Sequence, residues 1–262
     1  MKIVELSGAA LHFREDGDPK GPPLVFANSL GTDLRLWDEV LPLLPSGLRI
    51  IRYDKRGHGL SSCPPGPYAM GALISDAEAL LDHLEVRDCV FVGLSIGGMI
   101  AQGLAVKRMD QVRAMVISNT AAKIGTAEMW NDRVAAVNAG GIEALADTIM
   151  ERWFSKKFRD TPELALWRNM LVRQPAEGYT ACSAAIAGTD FYTTTASLTL
   201  PTLAIAGSED GSTPPDLVRE TADLVLGSRF ELIRGAGHLP CVEKPAEFAE
   251  ILTRFLKDIG HV

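Results

Sequence analysis

Four cysteines in 262 residues, with no Cys-x-x-Cys pair among them, leave little material for a disulfide framework or a thiolate metal centre. Cys63, Cys89, Cys182 and Cys241 are widely scattered and read as free thiols in a reducing compartment. Positive charge is also short, and the formal net charge of -7 argues against nucleic acid or an anionic membrane surface as the main partner. There is no repeat, no low-complexity tract and no apolar run of bilayer-spanning length. Charges at Lys2 and Glu5 interrupt the start before a signal-peptide core could form, so the expected location is cytoplasmic. No metal-ligand spacing is visible, and neither a metal nor a cofactor is expected.

What remains is an ordinary globular composition, 47% hydrophobic and 23% charged, sufficient for one sizeable domain with an insertion. Strand patterns fall at Lys2 to Leu6, Ala10 to Arg14, Pro23 to Ala27, Arg49 to Tyr53, Cys89 to Val92 and Ala114 to Ser118. Pro23-Leu24-Val25-Phe26-Ala27 is nearly continuous in apolar residues, as in a strand buried on both faces. Helical spacing links Leu34, Trp37, Leu41 and Leu44, then Met70 to Leu84, then Ile96 to Val106. This alternation predicts an α/β fold with a mostly parallel, doubly wound sheet. From Ala121 to Leu198 the patterns are helical only; strands resume at Pro201 to Ala206 and Arg229 to Ile233, and a last helix carries Phe248, Ile251, Leu252, Phe255 and Leu256. The expected organisation is a core of residues 1–120 and 199–262 with a helical cap, 121–198, inserted between two strands.

The strongest local signal is Gly93-Leu94-Ser95-Ile96-Gly97-Gly98, directly after a buried strand and opening a helix. Gly-x-Ser-x-Gly in that setting makes a sharp turn that lifts the serine oxygen above the sheet and aims the first helical N–H groups at developing negative charge. A serine hydroxyl needs a base, and the base an orienting acid. Of five histidines, His12 lies in an early strand, His83 in a helix, His58 in a turn upstream, and His261 in a tail expected to be loose. Only His238, in Gly235-Ala236-Gly237-His238-Leu239-Pro240, follows a late strand on a loop that returns to the sheet top. The acid is expected at Asp210, after Ile205-Ala206-Gly207, with Glu209 and then Asp216 as lesser candidates; the other acid position, after Ser118, holds Asn119. The order Ser, Asp, His is that of α/β-hydrolases.

With these residues in hand, the chain resembles the α/β-hydrolase superfamily over essentially its whole length. Within it, the run Asn28-Ser29-Leu30-Gly31-Thr32-Asp33 after the third strand, where most relatives carry His-Gly, and Ser118-Asn119-Thr120-Ala121-Ala122-Lys123 at the cap entrance are similar to the 3-oxoadipate enol-lactonases. The resemblance implies an oxyanion hole from the backbone N–H groups of Leu30 and Ile96, and a structural role for the Asp54-x-Arg56-Gly57-His58-Gly59-x-Ser61 turn. It also implies a small anionic lactone bearing an acetate arm as substrate, opened to 3-oxoadipate through an acyl-enzyme.

A net-negative protein that takes a carboxylate needs a local cation. The cap offers Lys123, Arg133, Arg152, Arg168 and Arg173; Arg133 is the first choice, with Trp130 and Trp153 as further substrate-binding candidates. Surface and core roles for these residues stay open at this point. Dehalogenases are excluded by a serine where they carry aspartate, and C–C bond hydrolases are disfavoured because their glycine-rich loop is absent. The readings left beside the lactonase are a carboxylesterase for another small ester and a non-catalytic small-molecule receptor on the same fold.

Overall fold

The computed structural model describes residues 1–262. An eight-stranded sheet runs in the order β1-β2-β4-β3-β5-β6-β7-β8. Its strands are β1 (Lys2–Leu6), β2 (Ala9–Gly17), β3 (Pro23–Ala27), β4 (Arg49–Tyr53), β5 (Cys89–Leu94), β6 (Val112–Ser118), β7 (Thr202–Gly207) and β8 (Arg229–Ile233). β1 and β2 are antiparallel to their neighbours, and every pair from β4 to β8 is parallel. The expected α/β architecture is therefore present. β5 and β7 are buried at every position, which is why they read as unbroken small and apolar runs. α1 (Met70–His83) and α2 (Ile96–Lys107) pack on the sheet and on each other.

Between β6 and β7 lie only helices: α3 (Ala127–Gly140), α4 (Ala146–Trp153), α5 (Lys156–Arg159), α6 (Leu164–Val172), α7 (Ala176–Ala187) and α8 (Tyr192–Ala196). α9 (Pro215–Asp223), α10 (Pro240–Glu243) and α11 (Pro245–Asp258) complete the chain. Phe248 of α11 meets Trp37, which in turn meets Phe26 of β3, tying the last helix to the sheet. No helix is long and apolar enough to cross a membrane.

Two local expectations are corrected, and one helix carries no sequence signal of its own. The stretch from Leu34 to Leu44 is not one helix but two 3-10 turns, Leu34–Trp37 and Leu41–Leu43. Pro42 and Pro45 withhold the N–H groups that an α-helix would need. The tail is not loose: the His261 N–H donates to Leu256 O, and its Nε2 lies 3.1 Å from Pro23 O. Finally, α9 gave no distinct sequence signal, because it is short, begins on Pro214-Pro215 and is largely polar around Leu217 and Val218.

Candidate active site

Ser95 sits between β5 and α2 with φ 58° and ψ −120°, a backbone region that side-chain-bearing residues enter only under constraint. Space explains the flanking glycines. A Cβ on Gly93 would lie 2.1 Å from Gly97 O, and one on Gly97 would lie 2.2 Å from Ala27 O. The turn is fastened by the Ser95 N–H to Ser118 O at 2.9 Å and by Thr120 Oγ1 to Ser95 O at 2.6 Å.

The loops after β7 and β8 bring Asp210 and His238 together. Asp210 Oδ2 is 2.9 Å from His238 Nδ1, and both side chains are buried. Oδ2 also accepts from Asn119 Nδ2 at 2.9 Å and Thr213 Oγ1 at 2.7 Å, while Oδ1 accepts the N–H groups of Ser212 and Thr213. Burial alone would push this carboxyl up; the His238 charge and the hydrogen bonds from His238, Asn119 and Ser212 outweigh it and hold the pKa below its ordinary value. Glu209 and Asp216 are exposed, the latter on the first turn of α9. His12 is instead paired with Asp54, and His83 is exposed.

Ser95 and His238 line one small, enclosed cavity with Ser29, Leu30, Trp130, Arg133, Arg152, Trp153, Tyr179 and Thr213. His238 Nε2 has Ser29 Oγ at 3.5 Å and no hydrogen bond to Ser95 at rest, a spacing common in unliganded sites. The cavity volume is only about 30 Å³, little more than a water's share of space. A larger cleft of about 750 Å³ opens on the outer surface between α5–α6 and the core, near Trp167 and Arg35, but no nucleophile–base pair faces it. The serine and histidine singled out by the sequence therefore face the smaller space. The N–H groups of Leu30 and Ile96 donate to no protein acceptor, as befits a loop and a first helical residue.

Of the five candidate cations, Lys123 pairs with Asp190, and Arg168 pairs with Glu143 and Asp147. Arg173 faces the outer clefts. Only Arg133 and Arg152 reach the cavity, neither in a salt bridge with a carboxylate. Arg133 lies over the Trp130 ring at 4.7 Å and donates to Tyr179 Oη at 3.4 Å. Burial, with the nearby Arg133 charge, pushes the Arg152 pKa down. Trp153 stacks on His238 with ring centres 6.3 Å apart. Two consecutive carbonyls at the end of α4 hold the loops after β7 and β8: Arg152 O accepts from Gly211 N at 3.0 Å, and Trp153 O accepts from His238 N at 2.7 Å.

Sequence reasoning missed Ser29, Thr213 and Tyr179, and gave Asn119 no role. Asn119 carried the one available hint, since it occupies a position where an acid can stand, and its φ of 46° aims it at Asp210.

Residues 24–251 match the α/β hydrolase family. Over 250 residues the chain is 35% identical to 3-oxoadipate enol-lactonase 2 of Acinetobacter baylyi, covering 95% of this chain and 93% of that one. The solved enol-lactonase from Burkholderia xenovorans LB400 superposes with a TM-score of 0.94 at 34% identity, over 98% of this chain and 100% of its own. A thermophilic esterase from Thermogutta terrifontis gives 0.93 at 27% identity, over 100% of both chains.

Proposed function

The chain belongs to the α/β hydrolase family and acts on ester bonds, and from that premise we propose that it opens 3-oxoadipate enol lactone to 3-oxoadipate through an acyl-enzyme on Ser95. His238 Nε2 takes the Ser95 proton as Oγ attacks the lactone carbonyl, and Asp210 fixes the imidazole through Nδ1. The oxyanion is held by the Leu30 and Ile96 N–H groups, at the start of α2 where the helix dipole favours negative charge. Collapse expels an enolate, a better leaving group than an alkoxide. It takes a proton and tautomerises to the ketone while the acyl group stays on Ser95. Water activated by His238 then releases the acid and restores the serine. Residues 121–198 act as the cap that supplies the substrate-recognising wall.

One observation carries the lactone reading: two arginines without carboxylate partners, Arg133 and Arg152, line the Ser95–His238 cavity of a protein whose net charge is -7. A neutral ester requires no such arrangement, whereas an acetate arm does. The second reading, a carboxylesterase for small esters, is favoured by the likeness to the Thermogutta terrifontis esterase. Hydrolysis of freshly generated 3-oxoadipate enol lactone and of a short-chain aryl ester, by wild type and Ser95→Ala, separates the two. Rapid lactone opening that Ser95→Ala abolishes is the expected result. Aryl-ester cleavage with negligible lactone opening would discard the lactonase, and binding without turnover of either would favour a receptor.

A further inference from the structure

A lysine is buried behind the oxyanion loop with no carboxylate hydrogen-bonded to it. Lys55, 3% exposed, follows β4 in the turn Asp54-Lys55-Arg56-Gly57-His58. Its Nζ donates to Ser29 O at 2.7 Å and to Thr32 O at 3.3 Å. Ser29 O also accepts from Thr32 Oγ1 at 2.9 Å and from Thr32 N at 3.3 Å. This crowded carbonyl belongs to the same peptide unit as the Leu30 N–H. In a conjugated amide, a cation on the oxygen withdraws electron density from the nitrogen, and the N–H becomes a stronger donor. The next peptide N–H, of Gly31, is tied off at 2.9 Å by His58 Nε2, which fixes the loop and leaves the Leu30 N–H without a protein acceptor on a residue that lines the cavity.

A buried ammonium is costly unless the site uses it. The groups facing it are the carboxylates of Asp54 and Asp33, the Cys182 thiol on α7 and the His58 imidazole. Burial outweighs their attraction and lowers the Lys55 pKa to about 8. Neither titratable neighbour changes charge near that pH: burial raises Cys182 to about 12, and burial with the Lys55 charge holds His58 neutral.

We propose that Lys55 is a positioning residue of the oxyanion hole, its ammonium polarising the Ser29–Leu30 peptide so that the Leu30 N–H binds the tetrahedral oxyanion more strongly than the ground-state carbonyl. The proposal rests on Ser95 acyl transfer, not on the identity of the ester. It makes the effect a transition-state one, seen in kcat and not in KM.

The test compares wild type, Lys55→Met and Lys55→Gln on a neutral aryl ester, with Ser95→Ala as control and an aryl trifluoromethyl ketone as a probe that forms an oxyanion on Ser95. Both Lys55 variants are expected to lose about tenfold to a hundredfold in kcat, less than the 10²–10³ for deleting a donor outright. KM stays within about twofold, and ketone affinity falls in parallel with kcat. Wild-type kcat is expected to fall as pH rises through about 8, and this limb is absent in the variants. Gln keeps a donor without the charge, so full activity in a folded Lys55→Gln protein overturns the polarisation. A flat wild-type profile from pH 7 to 9.5, with the protein still folded, overturns the proposal even if both variants fail to fold. Full turnover by Ser95→Ala would sink the proposal together with the reading of the site. A dead Ser95→Ala beside Lys55 variants at wild-type rate would refute the proposal alone.

Discussion

Arg133→Met keeps a chain long enough to lie over Trp130 but removes the guanidinium from the cavity. In the intact site that guanidinium sits 4.7 Å over the indole, holds Tyr179 Oη at 3.4 Å and has no carboxylate partner, so its charge is available to a substrate. A hydrogen bond to a charged group contributes about 1.5–3 kcal/mol net, and the half-buried position places Arg133 within that range rather than at the weaker surface value. The corresponding loss in kcat/KM is about 10- to 150-fold for the anionic lactone. Because the acetate arm keeps its charge from ground state to transition state, the loss is expected mainly in KM. A neutral aryl ester, which has no carboxylate to place, is expected to stay within about twofold. Arg152→Met is expected to act in the same direction, and the double variant to lose less than the product of the two, since both face one carboxylate. Steady-state kinetics on both esters decides it. Equal losses on lactone and neutral ester would refute the reasoning, because the arginines would then be holding the fold or the triad instead of the anion. No loss on the lactone would refute it as well.

Three other outcomes follow from the same structure. Ser95→Gly is expected to abolish turnover yet raise stability by about 1 kcal/mol, or about 2–4 °C in Tm, by relieving the strained turn; Ser95→Ala abolishes turnover without that gain, and thermal melts of the two variants check it. His58 is held neutral well below its ordinary pKa, chiefly by burial, so below about pH 6.5 the unfolded chain binds a proton that the native one refuses. Stability is then lost as pH falls, by up to about 1.4 kcal/mol per pH unit, and His58→Asn is expected to flatten that slope in urea melts at pH 7 and pH 5. His261, also lowered by burial, has the same sign and keeps a residual slope in the variant. Gly97→Ala drives a Cβ to within 2.2 Å of the Ala27 carbonyl and is expected to cost about 1–3 kcal/mol along with most activity, whereas an unchanged Tm would contradict the packing described here.

The legible parts of this protein are those whose signal is local. β3 could be bounded to the residue because a buried parallel strand is a nearly continuous apolar run, and the serine turn because close backbone approach demands glycines on both sides. His238 and Asp210 were findable by position after their strands. Ser29 and Asn119 were not, because each acquires its role from a partner distant in sequence: Asn119 meets Asp210 91 positions later, and Ser29 meets His238 209 positions later. The cap is less readable for the same reason. Helical spacing marks α4 as a helix, but nothing local says that Arg152 faces the cavity while Arg168 of α6 spends its charge on Glu143 and Asp147.

The paired carbonyls at the end of α4 bear on how far this fold can be rebuilt by exchange of parts. Arg152 O and Trp153 O take the N–H groups of Gly211 and His238, so α4 reaches into the loops that carry Asp210 and His238. A graft that swapped residues 121–198 for the corresponding segment of a relative, aiming only to alter which ester is accepted, would also renew the footing of the imidazole. A shortened chain without the segment would lose its base alignment, rather than become an open, permissive esterase. Transplanted caps should therefore carry a matching dipeptide in that register, and the place to look for success first is the turnover number on the least demanding ester.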